Sequence, residues 1–461
     1  MPTRVLVPSG VLGLGFDLAA LERGIAARPD IICIDGGSTD SGPYYLGTGT
    51  SKYARDVCKA EWRHLMRARA VAGVPLVIGS CGTCGTNSAV DWMYDITVEL
   101  AGELGQSLSV ARLYADQPAN QIAEAFQTGR VMPLTPAPEI DADGIRGFSN
   151  IVALAGAEAI TAALASGADI VLAGRTTDTA VISALPIKNG DHAGGAWHGA
   201  KIAECGAFCS TNPGSGVILV EFDESGFSVE AMAEDAICTP HSVSAHMLYE
   251  NVDPYILYEP GGHLDVTGAI YIAENNRRVR VEGSAWVPSD TYTVKLEAAH
   301  IVGYQTTMMA IIRDAHYVEN SILWLERLTS FLQDKIADCT DLAIDNYKLD
   351  FRLIGVNAAL GMHENRQPVS DTMPVEVGVL LIITASDQTI ATDLSKLINP
   401  FLLHFPLGEQ EDLPTFAFPY SPAHSDRGAL YEFALNHVLI LDMPMDGFTL
   451  ELSQISEVAH D

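Results

Sequence analysis

EAITAALASGADIVLAGRTTDTAV, residues 158–181, contains a complete helix-to-strand-to-helix junction. Small apolar residues at helical spacing run up to Gly167, the strand DIVLAG follows at once, and a polar loop carrying Arg175 and Asp178 opens the next helix. A short apolar run between two helical patterns reads as a buried parallel strand. Runs at 4–7, 31–34, 75–78 and 109–114 have the same character as the one at 169–172. Strand and helix alternate over residues 1–215, which predicts an α/β, Rossmann-like, doubly wound parallel sheet with helices on both faces.

The clearest helix follows SCGTCGTNS. Ser88 with Asp91 predicts a capping box, and Val90, Met93, Ile96, Leu100 and Leu104 share one face before Gly105. From residue 216 the pattern changes. GVILVEFD, GAIYIAE, RRVRVEG and SDTYTVKLEAAH alternate as strands do, SVSAHMLYENV reads as a helix, and ENSILWLERLTSFLQDKI is a strong helix with Ile322, Leu325, Leu328 and Leu332 on one face. Two strands, YKLDFRLIGV and VEVGVLLIITA, then the helix TDLSKLINPFLLHF follow, with strand expected again after that helix, so 216–461 is expected to be an α+β, mostly antiparallel domain.

Acidic residues outnumber basic ones 58 to 27 in the 461-residue chain, a net charge of −31. That charge repels phosphates, so neither nucleic acid nor a membrane surface is expected as a partner. No eighteen apolar residues run together, and MPTRVLVPSGVLGLG lacks the pattern of a signal peptide. The eight scattered cysteines read as reduced thiols. A cytoplasmic homo-oligomer is expected.

Ligands of an open parallel sheet bind outside the carboxyl ends of its strands. Those ends are PSGVLGLG, DGGSTDSG, GSCGTCGTN, ADQPAN and AGRTTDTA. DGGSTDSG places Asp35, Ser38, Thr39 and Asp40 in glycine-rich backbone that a ligand can approach closely. PSGVLGLG departs from the dinucleotide fingerprint and reads as a tight turn. Cys81 and Cys84 form a CxxC, with three readings in order: an anion-binding loop of Gly82, Thr83, Gly85, Thr86 and Asn87, small buried thiols, or a redox pair. In AGRTTDTAV, Arg175 suits a carboxylate or phosphate beside Thr176 and Thr177, and Asp178 suits a general base; a salt bridge and a helix cap are the structural alternatives. AWHGAKIAECGAFCS offers Glu204 and Cys205, with packing favoured over nucleophilic use of the thiol. YEPGGHLD clusters Glu259, His263 and Asp265.

At AGRTTDTAV, AKIAECGA and SVSAHMLYENVDPYILYEPGGHLD the sequence resembles the acyclic terpene utilisation protein A family. The resemblance implies a catabolic protein associated with breakdown of branched acyclic terpenoids through CoA thioesters. It also implies either a ferredoxin-like domain, placed here from about residue 345, or a small separate partner subunit. TDSGPYYLGTG and the CxxC depart from the family pattern.

The expected function is an enzyme acting on a small carboxylic acid or its CoA thioester, a hydratase, dehydratase or isomerase. Arg175 and the 82–87 loop would hold the acid group, and Asp40, Asp178 and Asp35 would move protons. No organic cofactor is expected. A divalent metal between Asp35, Asp40 and Asp178 would make the chemistry that of a metal-assisted lyase or hydrolase. The alternative is a non-catalytic binding or assembly subunit.

Overall fold

The computed structural model describes residues 2–364 and 373–456. The chain forms two compact units, residues 1–300 with 433–461, and residues 301–432.

In the first unit, β1 (Thr3–Val7), α1 (Leu18–Ala26), β2 (Ile31–Asp35), α2 (Arg55–Ala72), β3 (Leu76–Gly79), α3 (Asn87–Leu104), β4 (Leu108–Tyr114), α4 (Ala157–Ala165) and β5 (Ile170–Ala173) alternate as the apolar runs predicted. These five strands lie side by side in the order β1-β2-β3-β5-β4, and every pairing among them is parallel. The reversal between β3 and β4 puts helices on both faces. Helices α1, α2 and α3 adjoin one another, while α4 packs against α5 (Asp178–Asn189) and α5 against α6 (Ala193–Ala203). Val90, Met93, Ile96 and Leu100 of α3 are buried and Gly105 takes the left-handed C-cap. Its N-cap is Thr86 rather than Ser88: the Thr86 hydroxyl accepts from Ala89 N–H, while Ser88 donates to the Gly49 carbonyl and Asp91 pairs with Arg112.

The strands beyond residue 215 do not begin a separate body. β6 (Ile218–Phe222) pairs antiparallel with β1, and β7 (Gly226–Ala231) follows it as a hairpin. A buried β1 needs a partner for its outer row of backbone groups, and the hairpin supplies one. The sequence SVSAHMLYENV forms a shorter helix than expected, α7 (Pro240–His246), capped by a Thr239–Ser242 box. β8 (Ile256–Glu259), β9 (Gly262–Asp265) and β12 (Ala285–Pro288) make a small antiparallel sheet, while β10 (Ile270–Ala273) and β11 (Arg278–Glu282) extend the large one beyond β7.

The strand expected at SDTYTVKLEAAH is far longer, β13 (Tyr292–Ile312), and it runs from the first unit into the second. In the second unit its later residues pair with β15 (Val377–Ala385), which pairs with β14 (Tyr347–Ile354). With α8 (Ser321–Cys339), α9 (Gln388–His404) and β16 (His424–Phe433) beside β13, the order is βαββαβ, that of a ferredoxin-like unit. It begins at residue 301, not near 345. The buried stripe of α8 is Trp324, Leu328, Leu332 and Ile336, whereas Ile322 is 54% exposed. Leu328 and Leu332 of the expected face are in this stripe and Leu325 packs against it, while Trp324 takes the place expected of Ile322.

Leu328 is fully buried in this second core. Leu328→Ala is expected to destabilise the protein by about 2–5 kcal/mol, measured by chemical denaturation.

Candidate functional site

Carboxyl-end loops of the parallel sheet meet around two adjoining cavities of about 430 and 560 Å³, which share Ser38, Asp40, Asp178, Glu204 and Glu250 in their walls. Ser9 and Gly10 come from the end of β1, Asp35 and Ser38 from β2, Thr83 from the loop after β3, and Arg175 to Asp178 from β5. The fifth loop, ADQPAN after β4, stays outside these walls. Its Asp116 carboxylate accepts from the Asn87 N–H at the start of α3.

That contact revises the anion-loop reading. Thr83 lines the cavity, but the backbone N–H groups of Ser80, Cys81, Thr83 and Gly85 already donate to carbonyl oxygens, and a carboxylate of the chain itself already sits at the helix start. Cys81 and Cys84 are buried, and burial pushes both thiols up, away from the reactive range of a redox pair. All eight cysteines are free. Gly85 is required by the packing here, since φ is +62° and a Cβ would lie 2.3 Å from the Arg175 nitrogen. Ser80 and Thr83 also take positive φ, 45° and 75°, so the loop is strained where it presses on the site.

Arg175 is not free to grip a ligand. Its Nε and Nη2 donate to Glu297 at 3.0 and 3.4 Å, and Nη1 donates to Ser80 Oγ at 2.9 Å. Glu297, on β13, also accepts from Thr39 and Lys295. Both partners are buried. Burial raises the Glu297 carboxyl, but the Arg175 charge and hydrogen bonds outweigh it and hold the group below its usual range. The guanidinium is a structural anchor for the site.

Asp35 is 7% exposed, and its Oδ1 is buried with no hydrogen-bond partner, as are Thr83 Oγ1 and Thr176 Oγ1. Desolvation raises Asp35 well above the carboxylate range, and the Asp178 charge adds to this while Arg175 opposes it. Asp178, the first residue of α5, is raised by burial against the pull of Arg175 and Lys201. Thr177 caps that helix, accepting from the Ala180 N–H, so Asp178 is not needed as the cap. Asp40 is exposed on the same wall, in the turn Thr39–Ser41.

Glu204, a candidate from the sequence, is tied to a charge whose pairing with it the sequence did not reveal. Lys201 and Glu204 are both buried at the end of α6, with Nζ 2.5 Å from Oε1. Burial raises the Glu204 carboxyl, and the ammonium opposes it. Two opposite charges three apart in the otherwise small and apolar AGGAWHGAKIAECGA were the available signal. Glu259 joins the cavity and accepts a hydrogen bond from the Thr179 hydroxyl. His263 and Asp265, its expected companions, do not: His263 rests against Tyr258, and Asp265 accepts from the Thr267 N–H. Cys205 lines the cavity. His198 is bonded to Ser284 and Tyr271, not to the Cys205 thiol, and burial pushes its imidazole down to about 3.

A family model described as acyclic terpene utilisation family protein AtuA matches residues 48–419. The chain belongs to this family. Membership associates it with acyclic terpene catabolism. The match takes in Arg175, Asp178, Glu204, Glu259 and Glu297 and begins just beyond Asp35 and Asp40. No match was found among curated proteins or among solved structures. Among the described residues, no helix is long and apolar enough to cross a membrane. A separate hollow of about 450 Å³ is walled by Arg4, Arg23, Arg277 and Arg278, each paired with a glutamate.

Glu259 provides a pH test. Burial raises its carboxyl from 4.5 to about 7. The proton is held more tightly folded than unfolded, so this group favours folding most at low pH and loses that contribution as pH rises through about 7. Glu259→Gln is expected to stabilise the protein by about 1–2 kcal/mol near pH 8, with the gain vanishing near pH 4.5, as read by denaturation at both pH values.

Proposed function

We propose that this family member acts in acyclic terpene catabolism as an acid–base enzyme on a small carboxylic acid or its CoA thioester, a hydratase, dehydratase or double-bond isomerase. The observation that supports it most is the grouping of Asp35, Asp178 and Asp40 along one cavity wall, with the first two holding their protons more tightly than free carboxylates do. Neighbouring carboxylates in different surroundings divide into an acid and a base. Asp178 has Arg175 and Lys201 beside it, which favours the ionised base. Asp35, in the drier floor, is suited to carry the proton.

Asp178 removes a proton from the carbon beside the carbonyl, and Asp35 returns one at a second carbon, which shifts a double bond. With water as co-reactant the same pair adds or removes water. Asp40, exposed on the wall, exchanges protons with solvent. Because Arg175 is committed to Glu297, the acid or thioester group falls to Lys52, an exposed cation of the wall whose ammonium lies over the Tyr53 ring. This chemistry needs no organic cofactor. The enzyme is proposed to work in the cytoplasm as a homo-oligomer.

A binding or assembly role has one specific support. Leu248, Val252, Tyr255, Tyr258, Ile270 and Ile272 are exposed on the β-rich part, where a small partner subunit would cover them.

The test is incubation of the purified chain with branched enoyl-CoA thioesters in deuterated water, following deuterium uptake by mass spectrometry. Asp178→Asn is expected to slow uptake by about 10²–10⁴-fold with an unchanged melting temperature. Uptake at the wild-type rate would remove Asp178 from the mechanism.

A further inference from the structure

We propose that Glu204, Cys205 and His246 form a binding site for a divalent transition metal of zinc's ligand preference, with its open coordination position toward the cavity. One ligand atom from each residue lies within 4.8 Å of the other two. Carboxylate, thiolate and imidazole together suit zinc and its neighbours, whereas magnesium and calcium take oxygen. Three protein ligands and one free position is the pattern of catalytic zinc sites.

The chain is built to bring them together. Glu204 ends α6 in helical conformation, Cys205 leaves it at φ −90° and ψ 21°, and Gly206 turns away at φ +60°. Consecutive side chains can thus converge. Gly10 lets the β1 loop press against this corner, since a Cβ there would lie 2.8 Å from the Cys205 Cα. His246 ends α7 and is stacked on Tyr249 at an interplanar angle of 14°.

An independent observation points to a ligand. His246 is only 5% exposed, and its Nε2 is buried without a hydrogen-bond partner. An orphan of this kind is costly to bury unless something fills it. The surroundings favour a cation: Cys205 faces the carboxylates of Glu204, Asp178 and Glu250 against the single ammonium of Lys201. Lys201 holds Oε1 of Glu204 and leaves Oε2 for a metal. Glu204 and Cys205 both line the cavity, so a metal there presents its free face to whatever binds. The site differs from the three-aspartate metal expected from the sequence and does not depend on the acid–base assignment.

The experiment is titration of the chelator-stripped full chain with Co²⁺, followed by absorption spectroscopy, and with Zn²⁺ by calorimetry. One ion per chain and a thiolate-to-cobalt charge-transfer band in the near ultraviolet are expected. Cys205→Ser should abolish the band. His246→Ala and Glu204→Gln should each weaken binding at least tenfold, the lower end of the loss seen when even outer partners of metal ligands are removed. Asp35→Asn should leave band and affinity unchanged. In wild-type protein, Zn²⁺ should protect Cys205 from alkylation, read by peptide mass spectrometry, which needs no variant to fold. Absence of binding, a band that survives Cys205→Ser, or binding lost only in Asp35→Asn would overturn the site.

Discussion

A guanidinium buried at the end of β5 organises this molecule. Arg175 is 5% exposed, and a charge that far from water is tolerated only with a well-placed counter-charge and filled hydrogen bonds. Glu297 provides the counter-charge from β13, 122 residues along the chain, and Ser80 fills a further bond from the loop after β3. Three separate segments are thereby fixed to one another within the first unit. The strained loop from Ser80 to Gly85 fits the same arrangement, because Gly85 accepts the Arg175 N–H and must lie against its backbone. Removing either charge would leave the other buried and unpaired, a far larger penalty than the pair is worth intact.

With Arg175 neutralised, the balance of charge in the cavities is set by what remains. Asp35, Asp40, Asp178, Glu204, Glu250 and Glu259 face Lys52, Lys201 and Lys295. Burial answers part of this excess by making the carboxyls of Asp35 and Glu259 hold their protons more tightly than free carboxylates do. A bound cation would meet another part. The proposed proton transfer and the proposed metal site would both answer the same electrostatic condition. The family relation fits a catabolic role without selecting between them.

The parallel strands were legible because each is a short apolar run flanked by helical spacing, and burial on both faces leaves that signature. The meeting of loops from β1, β2, β3 and β5 followed from parallel pairing. Individual roles did not follow. Asn87 and the glycines of the CxxC resembled an anion cradle, because composition does not reveal that Asp116 already occupies the helix start. Glu297 was hidden in an alternating strand, where one acid at a polar position looks like any solvated side chain. Glu204, Cys205 and His246 lie 42 residues apart at the widest, and no spacing rule connects the end of one helix with the end of another.

The sequence alone determined the alternation of the five parallel strands with their helices, the parallel character of the central sheet, and the edge on which Asp35, Asp40 and Asp178 gather. Those features arise from local periodicity and from the handedness of crossovers, which act over short stretches of chain. Tertiary structure decided that β6 and β7 continue the first sheet, that the second unit begins at residue 301, and that Arg175 anchors the fold. It also decided which carboxyls are buried deeply enough to hold their protons more tightly than free ones do. Each of these depends on a partner distant in sequence, and the energies of buried charge and unpaired backbone are fixed only when that partner arrives.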